Sequence, residues 1–195
     1  MREQPEVKLW FPTCTYRFSN LMSDSENEEI CDRILELSKC INTGGDNWNC
    51  NTLTSLGTYD LEEDDTFKKL NNRVFYHVNN FARFYNSQHD YQLRESWFNI
   101  ALENNYQEPH VHPNSVSSCV YYASVPEGSG DLVFFSPENE MIQLLEVDEY
   151  NQYSSQTFSF QPMKGDLIIF RSHVRHMVKP NHSQKPRISL SYNFA

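Results

Sequence analysis

From about Gln92 to the C-terminus the chain consists of short runs of β-branched and aromatic residues, separated by glycine, proline, asparagine and serine: LRESWFNIA, SVSSCVYYASV, GDLVFF, SQTFSFQ, GDLIIF and RISLSYNF. Runs of this length and composition form strands. Six or more of them, punctuated by turn signals, fold as a sandwich or barrel. Tight turns are expected at Pro126-Glu127-Gly128-Ser129-Gly130 and at Lys164-Gly165-Asp166. Between Asn139 and Tyr153 the segment MIQLLEV fits either a strand or a short helical insertion.

The first half reads differently. Ile30, Ile34, Leu37 and Ile41 recur at helical spacing behind Ser25, which is placed to cap a first turn containing Glu26, Glu28 and Glu29. A second helix is expected to start near Asp64 or Asp65, with Phe67, Leu70, Val74, Val78, Phe81 and Phe84 on its core face. The expected class is therefore α+β, mostly β, with the two helices backing one outer face of the strands. With 195 residues a single domain is expected, residues 1–90 supplying strands and supporting helices and residues 91–195 the β core. No apolar run is long enough for a membrane span, and MREQPEVKLW lacks the basic-then-apolar order of a signal peptide, so the expected setting is cytoplasmic. Five cysteines without CxxC spacing read as reduced thiols.

A net charge of −10 argues against a nucleic-acid coat or an anionic membrane as partner. It conceals an asymmetry, because residues 171–195 hold five basic groups (Arg171, Arg175, Lys179, Lys185, Arg187) and no acidic one. Histidines add to this pattern. His110 and His112, at the entry to a β segment, would point to one face if both lie on a strand, which suits two ligands converging on one ion. His176, where an apolar strand runs into a polar loop, is the distant third candidate; neutral imidazoles accept Fe(II), Zn, Cu and Ni alike. Eleven residues later comes Arg187, and alternation puts Arg187, Ser189, Ser191 and Asn193 on one face of a strand whose other face is Ile188, Leu190, Tyr192 and Phe194. That polar face is either the solvent side of an edge strand or a clamp for a carboxylate. His77, His89 and His182 read as structural or solvated.

Taken in order, these residues resemble the double-stranded β-helix (jelly-roll or cupin-like) core of the Fe(II)/2-oxoglutarate-dependent oxygenases, over roughly Trp97 to Ala195. The carriers are the HxD-like pair His110 and His112, the distal His176, the Arg187-x-Ser189 that follows it, and the VYYASVPEGSGDLVFF segment, which is similar to prolyl-hydroxylase-like members. More narrowly, the run from Trp97 to Asn193 is similar to the 2OG-Fe(II) oxygenase family found in bacteria and in phages of marine bacteria. By that resemblance His110 and His176 are metal ligands, Arg187 pairs the distal carboxylate of 2-oxoglutarate, Tyr122 donates to it, and Ser189 and Asn99 are further cosubstrate contacts. Fe(II), 2-oxoglutarate and O2 are implied as cofactor and cosubstrates. The reaction implied is hydroxylation of an unactivated C–H bond with release of succinate and CO2.

One position departs from the superfamily: His112 stands where Asp is usual. Three arrangements are open there, namely His112 as third ligand, the carboxylate of Glu108 swinging in, or water. The competing functions are a three-His cupin-type metalloprotein (a cosubstrate-free dioxygenase or a zinc hydrolase) and a non-enzymatic binding or structural module. Neither of these needs Arg187 and Ser189. Arg171, Arg175, Lys179 and His173 are expected to flank the entrance, which would suit an anionic substrate. No base-stacking motif points to nucleic acid, and monomer or homodimer is left open.

Overall fold

The computed structural model describes residues 6, 8–41, 50–137 and 146–195. Among the described residues, ten strands form two antiparallel sheets. The larger has the order β1 (Thr15–Phe18), β8 (Leu167–Arg171), β5 (Ser117–Ser124), β10 (Arg187–Phe194), β3 (Leu93–Ala101), β2 (Leu53–Thr54); the smaller runs β4 (Gln107–His110), β9 (His176–Val178), β6 (Leu132–Phe135), β7 (Thr157–Phe160). This is the expected double-stranded β-helix, mostly β with two helices.

The six runs recognised in the sequence are all strands, and β3 and β10 match theirs residue for residue. The short strands β1, β2, β4 and β9 carried too few β-branched residues to stand out. Most of MIQLLEV falls outside the described residues.

Helix α1 (Asp24–Leu37) is capped by Ser23, not Ser25: the Ser23 hydroxyl accepts from the Glu26 amide while the Glu26 carboxylate accepts from the Ser23 amide. The reciprocal box fixes the start two residues earlier than expected and leaves Ile41 beyond the helix end. Helix α2 (Asp65–Phe84) starts as expected, its cap Asp64 accepting from the Thr66 amide. Phe67, Leu70, Val74, Val78 and Phe81 are buried, whereas Phe84, in the last turn, is 69% exposed, so the core stripe ends at Phe81. Each fully buried side chain of that stripe contributes on the order of 2 kcal/mol of transfer free energy.

Strand alternation decides what lies on each side of the large sheet. Cys119, Tyr121, Ala123, Leu167, Ile169, Ile188, Leu190, Tyr192 and Phe194 face the helices in one core. Tyr122, Ile168 and Phe170 face the small sheet in a second, with Leu132, Phe134 and Val174. The adjacent tyrosines thus part company: Tyr121 donates to Asn27 of α1, and Tyr192 donates to Asn71 of α2 at 2.9 Å, while Tyr122 turns into the space between the sheets. The tie from α1 to β5 and from α2 to β10 holds the helices on the outer face and leaves the inner face for a site. Among the described residues no helix is long and apolar enough to cross a membrane.

Candidate active site

Between the sheets lies a cavity of about 250 Å³ lined by both. Its histidines are brought together by strand pairing in the small sheet: β4 lies beside β9, and His110 stands opposite His176 in the register, with ring centroids 4.3 Å apart. His112 is not on the strand, as expected, but two residues past its end. Its amide donates to the Ser172 carbonyl at 3.0 Å, which turns the chain so that its ring lies 5.0 Å from that of His110 and 5.1 Å from that of His176. One potential ligand atom from each residue lies within 4.8 Å of the others.

Burial makes all three rings weak bases. It lowers the pKa of His110, takes His112 down to about 4 and takes His176 well below its usual value; for the last two, the neighbouring rings add to the effect. Neutral imidazole is the metal-binding form. Tautomers can also be assigned. The Nδ1–H of His110 donates to the Glu108 carbonyl (2.6 Å) and that of His176 to the Val174 carbonyl (2.9 Å), which puts the lone pair of both rings on Nε2. His112 differs, since its Nδ1 lies 3.2 Å from Nδ2 of Asn193. The Asn193 amide is oriented by Ser118, whose hydroxyl donates to Oδ1 (2.7 Å), and by Glu95, whose carboxylate accepts from Nδ2 (2.8 Å). The amide so held presents a donor, not an acceptor, to His112 Nδ1, so the tautomer of this ring is not set by a carbonyl as it is in His110 and His176. The donor set of three neutral imidazoles, His176 buried and His110 and His112 half-buried, thus fits a borderline cation such as Fe(II). The Glu108 carboxylate, the alternative ligand considered above, is neither in this cluster nor on the cavity lining; its backbone carbonyl is what orients His110.

Arg187, Ser189, Ser191 and Asn193 all line the cavity, so the polar face of β10 points inward. Ser189 pairs with Asn99 on β3 and with Tyr122 on β5, placing three expected site residues in one row across adjacent strands. Asn99 donates to the Ser191 hydroxyl at 3.3 Å. Arg187 is 4% exposed, donates from Nη1 to the Gly130 carbonyl at 3.2 Å, and has no carboxylate partner among the described residues. Burial lowers its pKa and pushes that of Tyr122 up to about 12, with the adjacent guanidinium pulling the phenol back. An unpaired buried guanidinium is costly, so this end of the cavity is built to receive an anion.

The expected basic rim is elsewhere. Arg171 lies over the Tyr85 ring, Arg175 over Phe135, and Lys179 pairs with Asp131 at 2.8 Å; none of them lines the cavity. The expectation of an anionic substrate thereby loses the rim on which it rested. Sequence reasoning passed over Glu95 and Trp97, both of which line the cavity. Their signal was period-two alternation back along β3 from Asn99.

A double-stranded β-helix with convergent histidines at one end of its cavity and a buried arginine at the other defines the iron- and 2-oxoglutarate-dependent oxygenases as a class. Within it, residues 95–193 match the family model described as "Putative 2OG-Fe(II) oxygenase", and the chain belongs to that family. No curated protein matches the chain. Solved structures show the same fold at low identity. A Pseudomonas putida prolyl-4-hydroxylase is 14% identical with a TM-score of 0.64, covering 93% of this chain and 92% of its own. HygX from Streptomyces hygroscopicus, with nickel and 2-oxoglutarate bound, is 9% identical with a TM-score of 0.65 over 94% and 83%. The non-heme alpha ketoglutarate dependent epimerase SnoN, from nogalamycin biosynthesis, is 12% identical with a TM-score of 0.68 over 93% and 78%.

Proposed function

We propose that this 2-oxoglutarate-dependent oxygenase hydroxylates an unactivated C–H bond of a small molecule, consuming 2-oxoglutarate and O2 and releasing succinate, CO2 and the alcohol, in a reducing cytoplasm where its five free cysteines remain thiols. The observation that carries the reading is Arg187, a buried cation without an acidic partner among the described residues, in the same cavity as three neutral imidazoles. His110, His112 and His176 would hold Fe(II). When bound, the iron and 2-oxoglutarate supply the oxidising chemistry.

The chain's own residues do the rest. Arg187 takes the distal carboxylate of 2-oxoglutarate by a charge-assisted bond. The Tyr122 phenol, its pKa pushed up to about 12, stays protonated at neutral pH and donates to the same carboxylate. Ser189 and Asn99 occupy the row beside it and fix the cosubstrate's tilt. Leu132, Phe170 and Val178 supply an apolar wall that keeps water from the reacting end. A three-His enzyme without a cosubstrate has no use for a buried, unpaired arginine, which favours the oxygenase over the cupin-type alternative.

The test is spectroscopic. Adding 2-oxoglutarate to the protein with Fe(II) under anaerobic conditions is expected to produce a visible charge-transfer band that saturates with cosubstrate. Bound iron with no band and no calorimetric binding of 2-oxoglutarate would overturn the reading.

A further inference from the structure

Only two carboxylate or guanidinium groups line the cavity among the described residues, Arg187 and Glu95, and they stand at opposite ends. Arg187 is opposite Ala101 in the β3–β10 register and Asn193 is opposite Glu95, six residues further along β10, which separates the two ends by about 20 Å of strand. A five-carbon diacid cannot span that length. Once it neutralises Arg187, Glu95 is the charge left in the cavity.

Glu95 is held in place. Its Oε2 accepts from Nδ2 of Asn193, a residue 2% exposed and itself fixed by Ser118, and that same Nδ2 lies 3.2 Å from the His112 ring. The carboxylate therefore sits one amide group away from the histidine cluster. Glu95 is exposed at the mouth of the cavity, and no lysine, arginine or histidine pairs with it among the described residues. Two residues on, and on the same face of β3, the buried Trp97 presents its ring beside His112, with centroids 5.8 Å apart. Apart from Arg187, the other lining residues, including Thr52, Thr54, Gln107 and Cys50, are neutral.

We propose that Glu95 and Trp97 form the substrate-recognition subsite, and that the substrate is a small molecule carrying a cationic nitrogen, a protonated amine or a guanidinium. A fixed carboxylate beside an aromatic wall is the arrangement that recognises such a group, and a chain of net charge −10 attracts cations to its surface. An acid would meet Glu95 with no counter-charge beyond the arginine that the cosubstrate uses. Because Glu95 reaches His112 through one amide, a nitrogen held there brings the carbons next to it toward the metal. The inference rests on the function proposed above and deepens it.

The probes are straight-chain C4 to C6 alkylamines and alkylguanidines, with the matched alcohols and carboxylates, titrated calorimetrically into the protein loaded with Ni(II) and 2-oxoglutarate. The cationic members are expected to bind at least about 10-fold tighter than their alcohols, with the carboxylates weakest. In Glu95→Gln, which keeps shape and removes charge, that preference disappears, and in Glu95→Lys it reverses toward the carboxylates. No binding of the cationic probes, a preference for alcohols or acids, or an undiminished amine preference in Glu95→Gln overturns the proposal. Binding of 2-oxoglutarate is measured on the same wild-type protein. If it binds and the amines do not, the subsite is wrong and the oxygenase reading stands; if it fails to bind, the oxygenase reading itself fails.

Discussion

Arg187 is the residue whose removal separates cosubstrate binding from metal binding. Its guanidinium is buried on the cavity wall, and its one hydrogen-bond partner among the described residues is the Gly130 carbonyl. Arg187→Ala is expected to weaken 2-oxoglutarate by about 100-fold, the scale of losing a charge-assisted pair, while metal affinity changes by less than about threefold; parallel calorimetric titrations read both. Equal loss of both would assign Arg187 to structure instead. The histidines differ among themselves for a reason visible in their hydrogen bonds. His110 and His176 have carbonyls at Nδ1 that fix the ligating tautomer, whereas His112 faces the Asn193 amide donor there. Ni(II) affinity is therefore expected to fall about 100-fold or more in His176→Ala and by a smaller factor in His112→Ala. A larger loss in His112→Ala would contradict that ordering. The ligand candidates could be read from the sequence because histidine and arginine are chemically conspicuous. Asn193 was legible only as one member of a polar face, and Glu95 only as a position on the face of β3 that Asn99 shares, because their roles come from a register that pairs residues almost a hundred positions apart.

At the scale of elements, what was legible was whatever had length. Strands β3 and β10 read out in full because each is a long run with both faces committed, one to the helices and one to the cavity. Strands β4 (QEPH) and β9 (HMV) did not, since their residues are chosen for the site and their pairing, not for strand propensity. Helix α1 was found by its periodicity but misplaced at its start, because the reciprocal bonds of Ser23 and Glu26 outweigh the presence of a second serine at Ser25. The turn between β5 and β6 links fold to chemistry most directly. A Cβ on Gly130 would stand 2.0 Å from the Lys179 carbonyl oxygen, and the Gly130 carbonyl accepts from Arg187. Gly130→Ala is expected to cost at least about 2 kcal/mol and lower Tm by roughly 4–8 °C, and to weaken 2-oxoglutarate at the same time. Gly128→Ala, two residues away at φ +85° with its nearest contacts at 3.6 Å, is strained only by its backbone and should cost about 1 kcal/mol without touching cosubstrate affinity.

For the molecule as a whole, the desolvation of His110, His112 and His176 makes the stability of the metal-free protein depend on pH with a defined sign. Their folded pKa values lie below the unfolded value, His112 at about 4, so the unfolded chain binds more protons as acid is added. Stability is fully present above an unfolded pKa of about 6.5 and is lost as pH falls from there toward 4. Melting curves of metal-free protein from pH 8 to 5 should show a flat region above pH 7 and a decline below it, and a triple alanine variant of the histidines should flatten that decline. The overall charge also changes meaning once the fold is known. The basic C-terminal stretch is largely consumed in local contacts, Lys179 with Asp131 and Arg171 and Arg175 over aromatic rings, and a single arginine of that stretch, Arg187, faces the cavity.

The central claim is that histidines and arginine act as one oxidising centre, and turnover tests it most directly. Protein supplied with Fe(II), 2-oxoglutarate and air should release succinate and CO2 in equal amounts, slowly without a substrate and faster with one, and His176→Ala and Arg187→Ala should each abolish the release at moderate cosubstrate concentration. Succinate formation that persists unchanged in His176→Ala, or none from wild-type protein shown to hold both iron and 2-oxoglutarate, would contradict the account.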